Sequence, residues 1–319
     1  MVNSTVHLKP RTSHRVWQLF DVPPGELEHP KPFTVLKLWA RMFVHLCQAP
    51  AGVILFSAIL LLLLWGHFGN VEVLRIFWKS WAGPGSDPNT RTRIIQGIPW
   101  DQEWISFAIG AVLLVAVPCL LIVFYLKHDL ADPPGLPKTG IRKLAYYGLG
   151  LPKEGAGRLT VWSTLWLFVI AVGGVLLVNR CPDMRKIYPL YHGHFSGIGP
   201  FLIYELGYFF FFVAIEFIFR GYLLFGLFHA GSYHTRATPS GEGAGDGHVG
   251  LPWFGIWAIF VSMLSYTAWH LGKPPEEAFS TLVWGVAAGT VALLTGTIWP
   301  IIGVHWLANV LGDFLMAFH

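Results

Sequence analysis

The sequence predicts an all-α protein that crosses a membrane as a polytopic bundle of about seven helices. Of its 319 residues, 54% are hydrophobic and only 13% are charged, about half the charged fraction of an ordinary soluble domain. Seven apolar stretches come close to or exceed the roughly 20 residues that a spanning helix needs. The 15 Trp and 24 Phe fit aromatic belts at the two membrane surfaces. We therefore expect an integral membrane protein in contact with lipid.

The predicted spans follow one another along most of the chain. In order, they are Met42–Gly66, Trp104–Leu126, Leu159–Asn179, Ile198–Phe228, Pro252–Gly272, Glu277–Trp299 and Pro300–Phe318. The first contains Pro50, so its start is expected to be kinked or interfacial. The fourth is roughly 45 Å long at about 1.5 Å per residue, so it must tilt or leave the bilayer at one end.

Three regions follow from these spans. We expect an N-terminal segment over residues 1–41, three helices with their loops over 42–197, and a four-helix catalytic core over 198–319. The loops include an amphipathic stretch at 71–79, expected on the membrane surface, and a glycine-rich stretch at 229–251, expected to be mobile.

The orientation prediction comes from the lysines and arginines of the loops. The side with the N-terminus carries 13 and the other side eight, which predicts a cytoplasmic N-terminus. The first 33 residues lack the apolar core of a signal peptide, so the first span is expected to be an uncleaved anchor. The plasma membrane of a prokaryote is the expected location.

Several classes of function are disfavoured. No basic cluster is interleaved with stacking aromatic residues, so no nucleic-acid partner is expected. The three cysteines, Cys47, Cys119 and Cys181, are widely spaced and imply no disulfide framework. The absence of an internal repeat weakens a transporter built from duplicated halves.

Ionisable residues at membrane depth are the main functional signal. Glu216 and Arg220 lie four residues apart on the fourth span, so they share a helix face and can pair. Such groups are costly in a bilayer and usually mark a function or a partner. A salt bridge that only sets helix packing is the structural alternative.

Two further motifs lie on the fifth and seventh spans. His270 follows Tyr266 by four residues, and His305 precedes Asn309 by four. Asn309 can hold the His305 ring, or both can donate to an oxyanion. Packing or interhelical hydrogen bonding explains either motif alone. Asp313 continues the His305 face as a partner or an exit residue, whereas Glu205 is expected to be structural.

The residues of these motifs resemble the CPBP family, which comprises the type II CAAX prenyl proteases and the bacteriocin-processing, or Abi, intramembrane proteases. The family pattern is EExxxR followed by Gly, then an aromatic-xxx-His, then HxxxN or HxxxD after a GxxWP turn. The matching residues are Glu216, Arg220 and Gly221, then Tyr266 and His270, then Gly296, Trp299, Pro300, His305 and Asn309. The resemblance covers about Ile198–Phe318.

One position departs from the family pattern. The first Glu of EExxxR, which the family uses to activate water, is Ile215 in this chain. Adjacent helical residues point about 100° apart, so Glu216 cannot take the missing place without rotation of the helix. This departure puts catalytic activity in question.

The resemblance implies a membrane endopeptidase, a hydrolase of the glutamic type that acts on a membrane-associated peptide or protein. Glu216 would be the general base with His270 as its partner, His305 and Asn309 would hold the oxyanion, and Arg220 would orient Glu216. No cofactor is implied. Two alternatives stay open: an inactive member that binds a membrane partner, and a metalloprotease with zinc on Glu216, His270 and His305.

Overall fold

The protein is described here by a computed structural model. The structure describes residues 36, 40, 49–69, 93–95, 98–100, 102–126, 140–184, 188, 195, 197–230 and 253–318. The chain divides into two compact units, Met1–Val53 and Ile54–His319. Nearly all of the predicted segment 1–41, the predicted amphipathic stretch 71–79 and most of the predicted mobile loop 229–251 lie outside the described residues.

The described part of the chain is built from seven long helices, which confirms the all-α prediction. They are α1 (Pro50–Phe68), α2 (Gln102–Gly110, Ala111–Ala116, Val117–Leu120 and Leu121–Tyr125 in succession), α3 (Gly157–Val178), α4 (Ile198–Ala230), α5 (Trp253–Trp269), α6 (Pro275–Thr295) and α7 (Trp299–Phe318). A 3₁₀ helix spans Ile141–Tyr147. The exception is a short antiparallel hairpin, β1 (Arg93–Ile95) and β2 (Ile98–Trp100), in which Ile95 pairs with Ile98.

Six of these helices are long and apolar enough to cross a membrane by length and composition. The shorter one is α5, whose apolar part is Phe254–Trp269; its 16 residues reach only about 24 Å. The predicted span ran on to Gly272, but the helix ends earlier because Gly272 has φ +97° and Pro274 and Pro275 follow. His270 thus lies just beyond the helix.

The helix α4 forms the centre of the second unit. Two thirds (67%) of its apolar window is buried, against 11% for α3, which fits a helix that is apolar on every face. α2 and α7 pack against α4, and α5 packs against the second half of α4. That half, Phe217–Phe225, is π-helical.

The pair α5 and α6 approaches closely through glycines. A Cβ at Gly285 would lie 2.7 Å from Met263 Cγ and 3.1 Å from its Cα, and one at Gly289 would lie 3.3 Å from Ile259. Small residues at such crossings allow two backbones to come together in a membrane. The end of α5 and the start of α6 are thereby held side by side.

The turn between α6 and α7 is fixed by the segment that follows the 3₁₀ helix. The amide of Ile298 donates to the Gly148 carbonyl at 2.9 Å, and the Thr297 hydroxyl donates to the Gly150 carbonyl at 2.8 Å. Gly296 makes the turn with φ +75°. These bonds set where α7 begins and therefore where His305 lies.

Candidate active site

The first part of the site is a buried ion pair on α4. Glu216 is the last residue of the α-helical half and Arg220 lies in the π-helical half, and both are fully buried. Arg220 Nη1 lies 3.2 Å from Glu216 Oε2, as the four-residue spacing predicts. The guanidinium carbon lies 4.2 Å from the centroid of the Tyr266 ring, close enough for a cation–π interaction.

Two further side chains converge on the same carboxylate. His305 Nδ1 lies 2.5 Å from Glu216 Oε1, and the Trp284 indole donates to this oxygen at 3.2 Å. Glu216 therefore joins α4, α6 and α7. We call these four residues, Glu216, Arg220, Trp284 and His305, the buried cluster. Its carboxylate is enclosed by a cation and two ring N–H groups, the arrangement that offsets the cost of burying a charge.

His270 stands apart from Glu216. Its Nδ1 lies 2.8 Å from the Tyr266 carbonyl, and because a carbonyl only accepts, Nδ1 carries the proton and Nε2 keeps its lone pair. Burial and the nearby Lys273 ammonium lower the pKa of His270 to about 3. The centroid of the Tyr266 ring is 4.5 Å from that of the His270 ring and 6.3 Å from that of the His305 ring. The Tyr266 ring therefore lies near both imidazoles.

A cavity of about 1060 Å³ collects most of the predicted site residues. His270, His305 and Asn309 all line it, and so does Ile215, whereas Glu216 and Arg220 do not. The two imidazoles reach one cavity although they come from different depths of their predicted spans.

The predicted partner of Glu216 differs from the observed one. The sequence interpretation paired Glu216 with His270, while the structure pairs it with His305. Asn309 Nδ2 donates at 3.0 Å to the backbone carbonyl of His305 rather than to its ring. Asp313 is buried and lines the cavity, and its carboxyl interacts with that of Glu205.

A second charged group at the cavity has no counterpart in the sequence motifs. Glu277 Oε1 accepts hydrogen bonds from Lys273 Nζ at 2.7 Å and from the Tyr188 hydroxyl at 2.7 Å. His270 Nε2 lies 3.7 Å from the same oxygen. We call Glu277, Lys273, Tyr188 and His270 the cavity cluster. The i, i+4 spacing of Lys273 and Glu277 was the signal that could have revealed part of it.

The charges of the cavity cluster are partly reached by solvent. The Lys273 side chain is 32% exposed and the Glu277 side chain 11%. Tyr188 is outside the spans, and burial, followed by the Glu277 charge, raises its pKa well above the ordinary value. Its hydroxyl therefore stays protonated and remains a donor to Glu277.

The zinc alternative needs three ligands around one point. Within the described residues, no group of three or more His, Cys, Asp and Glu side chains is placed to hold a metal ion. His305 Nδ1 and Glu216 instead bond to each other.

These features define a helical membrane protein with a cavity lined by two histidines and an asparagine. Residues 197–311 match the model of the family Type II CAAX prenyl endopeptidase Rce1-like. The matched segment contains Glu216, Arg220, His270, His305 and Asn309. The predicted resemblance to the CAAX prenyl proteases is thereby confirmed for this segment. No curated protein and no solved structure matches the chain.

Proposed function

We propose that the protein is a membrane endopeptidase whose active site is the cavity lined by His270, His305 and Asn309. The observation that carries this proposal is that three side chains from two separate family motifs line one cavity, within a segment that matches a protease family. The substrate class is a membrane-associated peptide or protein, by similarity to the CAAX prenyl proteases.

His305 and Asn309 bind the carbonyl oxygen of the scissile bond. Because Nδ1 of His305 is held by Glu216, Nε2 is the nitrogen left to face a ligand. A donor at this position stabilises the negative charge that develops on the oxygen during attack. The buried carboxylate fixes the ring and stabilises the positive charge on it, so Glu216 and Arg220 act as positioning residues in this scheme.

His270 accepts a hydrogen bond from the attacking water and orients it for attack. Its Nε2 keeps a lone pair, since Nδ1 donates to the Tyr266 carbonyl. The water oxygen forms a bond to the carbonyl carbon, the C–N bond breaks, and the proton passes to the leaving amine. Glu216 is fully enclosed, which supports placing the attacking water at His270 rather than at Glu216.

The test is hydrolysis of a synthetic farnesylated peptide that ends in a CAAX sequence, by purified full-length protein in lipid nanodiscs. Mass spectrometry of the released C-terminal fragment gives the rate. We expect His270→Ala to lower kcat/KM by about 100-fold or more. His67, an exposed histidine on α1, provides the matched control, and His67→Ala is expected to keep the parent rate. Equal rates for both variants contradict the proposed site.

An inactive protein that binds a membrane partner is the second candidate. Ile215 favours it, because this apolar residue lines the cavity where the family pattern has a carboxylate. The outcome that supports it is saturable binding of the farnesylated peptide with no cleavage, together with cleavage by the Ile215→Glu variant. Metal analysis of the purified protein, and its rate with a chelator, test the zinc alternative in the same preparation.

A further inference from the structure

A carboxylate reaches the cavity from a helix that carries none of the family motifs. Glu277 lies in the first turn of α6 and lines the cavity with His270. It is nine-tenths buried, yet it lies within 2.7 Å of the Lys273 ammonium. The family pattern assigns no role to either residue.

The geometry between Glu277 and His270 suits a shared water. His270 Nε2 and Glu277 Oε1 are 3.7 Å apart, and both are acceptors because Nδ1 of His270 carries the ring proton. Two acceptors at this separation cannot bond to each other. Since Oε1 already accepts from Lys273 and Tyr188, a single water can donate one hydrogen to His270 Nε2 and the other to Oε2 of the same Glu277 carboxylate.

Glu277 also retains an acceptor for this purpose. Both of its donors, Lys273 and the Tyr188 hydroxyl, bond to Oε1. Oε2 is buried and has no hydrogen-bond partner among the described residues. A buried carboxylate oxygen without a donor is costly, and a water in the cavity removes that cost.

The same cavity lacks the carboxylate that the motif would supply from α4. Ile215 lines the cavity, and Glu216 is bound within the buried cluster. We propose that Glu277 is the catalytic carboxylate of this protein, and that with His270 it binds and deprotonates the attacking water. The inference rests on the proposed endopeptidase function, and it moves the carboxylate of the reaction from α4 to the start of α6.

The reaction then balances within the cavity cluster. The water oxygen bonds to the carbonyl carbon while its proton passes to the Glu277 carboxylate, and His270 Nε2 holds the water in place. Collapse of the tetrahedral intermediate breaks the C–N bond, and the same proton goes to the departing amine. Lys273 and Tyr188 keep Oε1 in place throughout, since both donate to it. They act as positioning residues.

The test uses Glu277→Gln with the farnesylated peptide and the full-length protein in nanodiscs. The neighbouring Glu276 is exposed and lies in the same helical turn, so Glu276→Gln is the matched control. We expect Glu277→Gln to lower kcat by about 10²–10⁴-fold with KM nearly unchanged, and Glu276→Gln to stay within about twofold of the parent. A thermal unfolding midpoint close to that of the parent verifies the fold.

A double variant tests whether position 215 and Glu277 serve the same role. We expect the double variant with Ile215→Glu and Glu277→Gln to have a kcat at least tenfold higher than that of Glu277→Gln alone. The reason is that the side chains at both positions reach the cavity. The inference is overturned if the parent cleaves the peptide, Glu277→Gln keeps the parent kcat and His270→Ala loses it. The endopeptidase function stands in that case. A parent that does not cleave, but gains cleavage through Ile215→Glu alone, overturns both.

Discussion

The buried cluster and the cavity cluster each pair a carboxylate with a cation four residues away, but they differ in access to water. Glu216 and Arg220 are both at 0% exposure, whereas the Lys273 side chain is 32% exposed and Glu277 lines the cavity. Of the residues that match the family pattern, Glu216, Arg220 and His305 belong to the buried cluster and His270 belongs to the cavity cluster. The carboxylate that lines the cavity, Glu277, belongs to the cavity cluster.

This difference separates two uses of the same chemistry. In the buried cluster, Glu216 fixes the relative positions of α4, α6 and α7. It bonds to Trp284 on α6 and to His305 on α7, and it pairs with Arg220 on its own helix. In the cavity cluster the Lys273 side chain is partly exposed and Glu277 lines the cavity, whereas Glu216 and Arg220 do neither. The same pairing of a carboxylate with a cation thus occurs once fully enclosed and once at the cavity.

The largest expected effect is a loss of stability when the ion pair of the buried cluster is broken. Arg220→Met or Glu216→Gln alone should lower the free energy of unfolding by about 3–5 kcal/mol, because each leaves a buried charge without its partner. The double variant should recover most of this loss, since neither charge is then present. Thermal unfolding in detergent micelles measures all three variants. A double variant as unstable as the worse single variant would show that charge pairing is not what holds the helices.

The next largest effect is the pH dependence of stability that His270 of the cavity cluster contributes. The folded pKa of His270 is about 3, below the ordinary value near 6.5, so between these values the unfolded chain binds a proton that the folded protein does not. Stability contributed by neutral His270 is therefore lost as pH falls through this window. His270→Gln should be less sensitive to acid than the parent, by up to about 2 kcal/mol between pH 7 and pH 5.

Unfolding midpoints of the parent and of His270→Gln at the two pH values provide the measurement. The difference between the two proteins isolates the contribution of His270, because all other ionisable groups are the same in both. Identical acid sensitivity of the two proteins contradicts a His270 ring that is buried and neutral.

The bundle and the site residues could largely be predicted from the sequence. Long apolar runs specify spanning helices, because backbone groups in lipid must bond within their own segment, and i, i+4 spacing placed Glu216 beside Arg220. The seven predicted spans correspond to α1–α7. The family motifs also identified both histidines that line the cavity.

The pairing of carboxylates with histidines could not be predicted in the same way. It depends on where α5 stops and how tightly the chain turns from His270 to Pro274, which brings Glu277 to His270. It also depends on where α7 begins, which is set by the hydrogen bonds of Thr297 and Ile298 to the Gly150 and Gly148 carbonyls. Both are local backbone outcomes that hydrophobic patterning leaves unspecified.

The smallest expected effect comes from Lys273, and it sharpens the contrast between the clusters. Lys273→Met should change the free energy of unfolding by less than about 1 kcal/mol, because a partly exposed ion pair contributes little. Its effect should appear in catalysis, where loss of one donor to Glu277 Oε1 lowers kcat by roughly tenfold through poorer positioning. Lys273→Arg, which keeps a donor, should recover part of that rate. If Lys273→Met costs as much stability as Arg220→Met, the two clusters have the same structural role. The distinction between the buried cluster and the cavity cluster then fails.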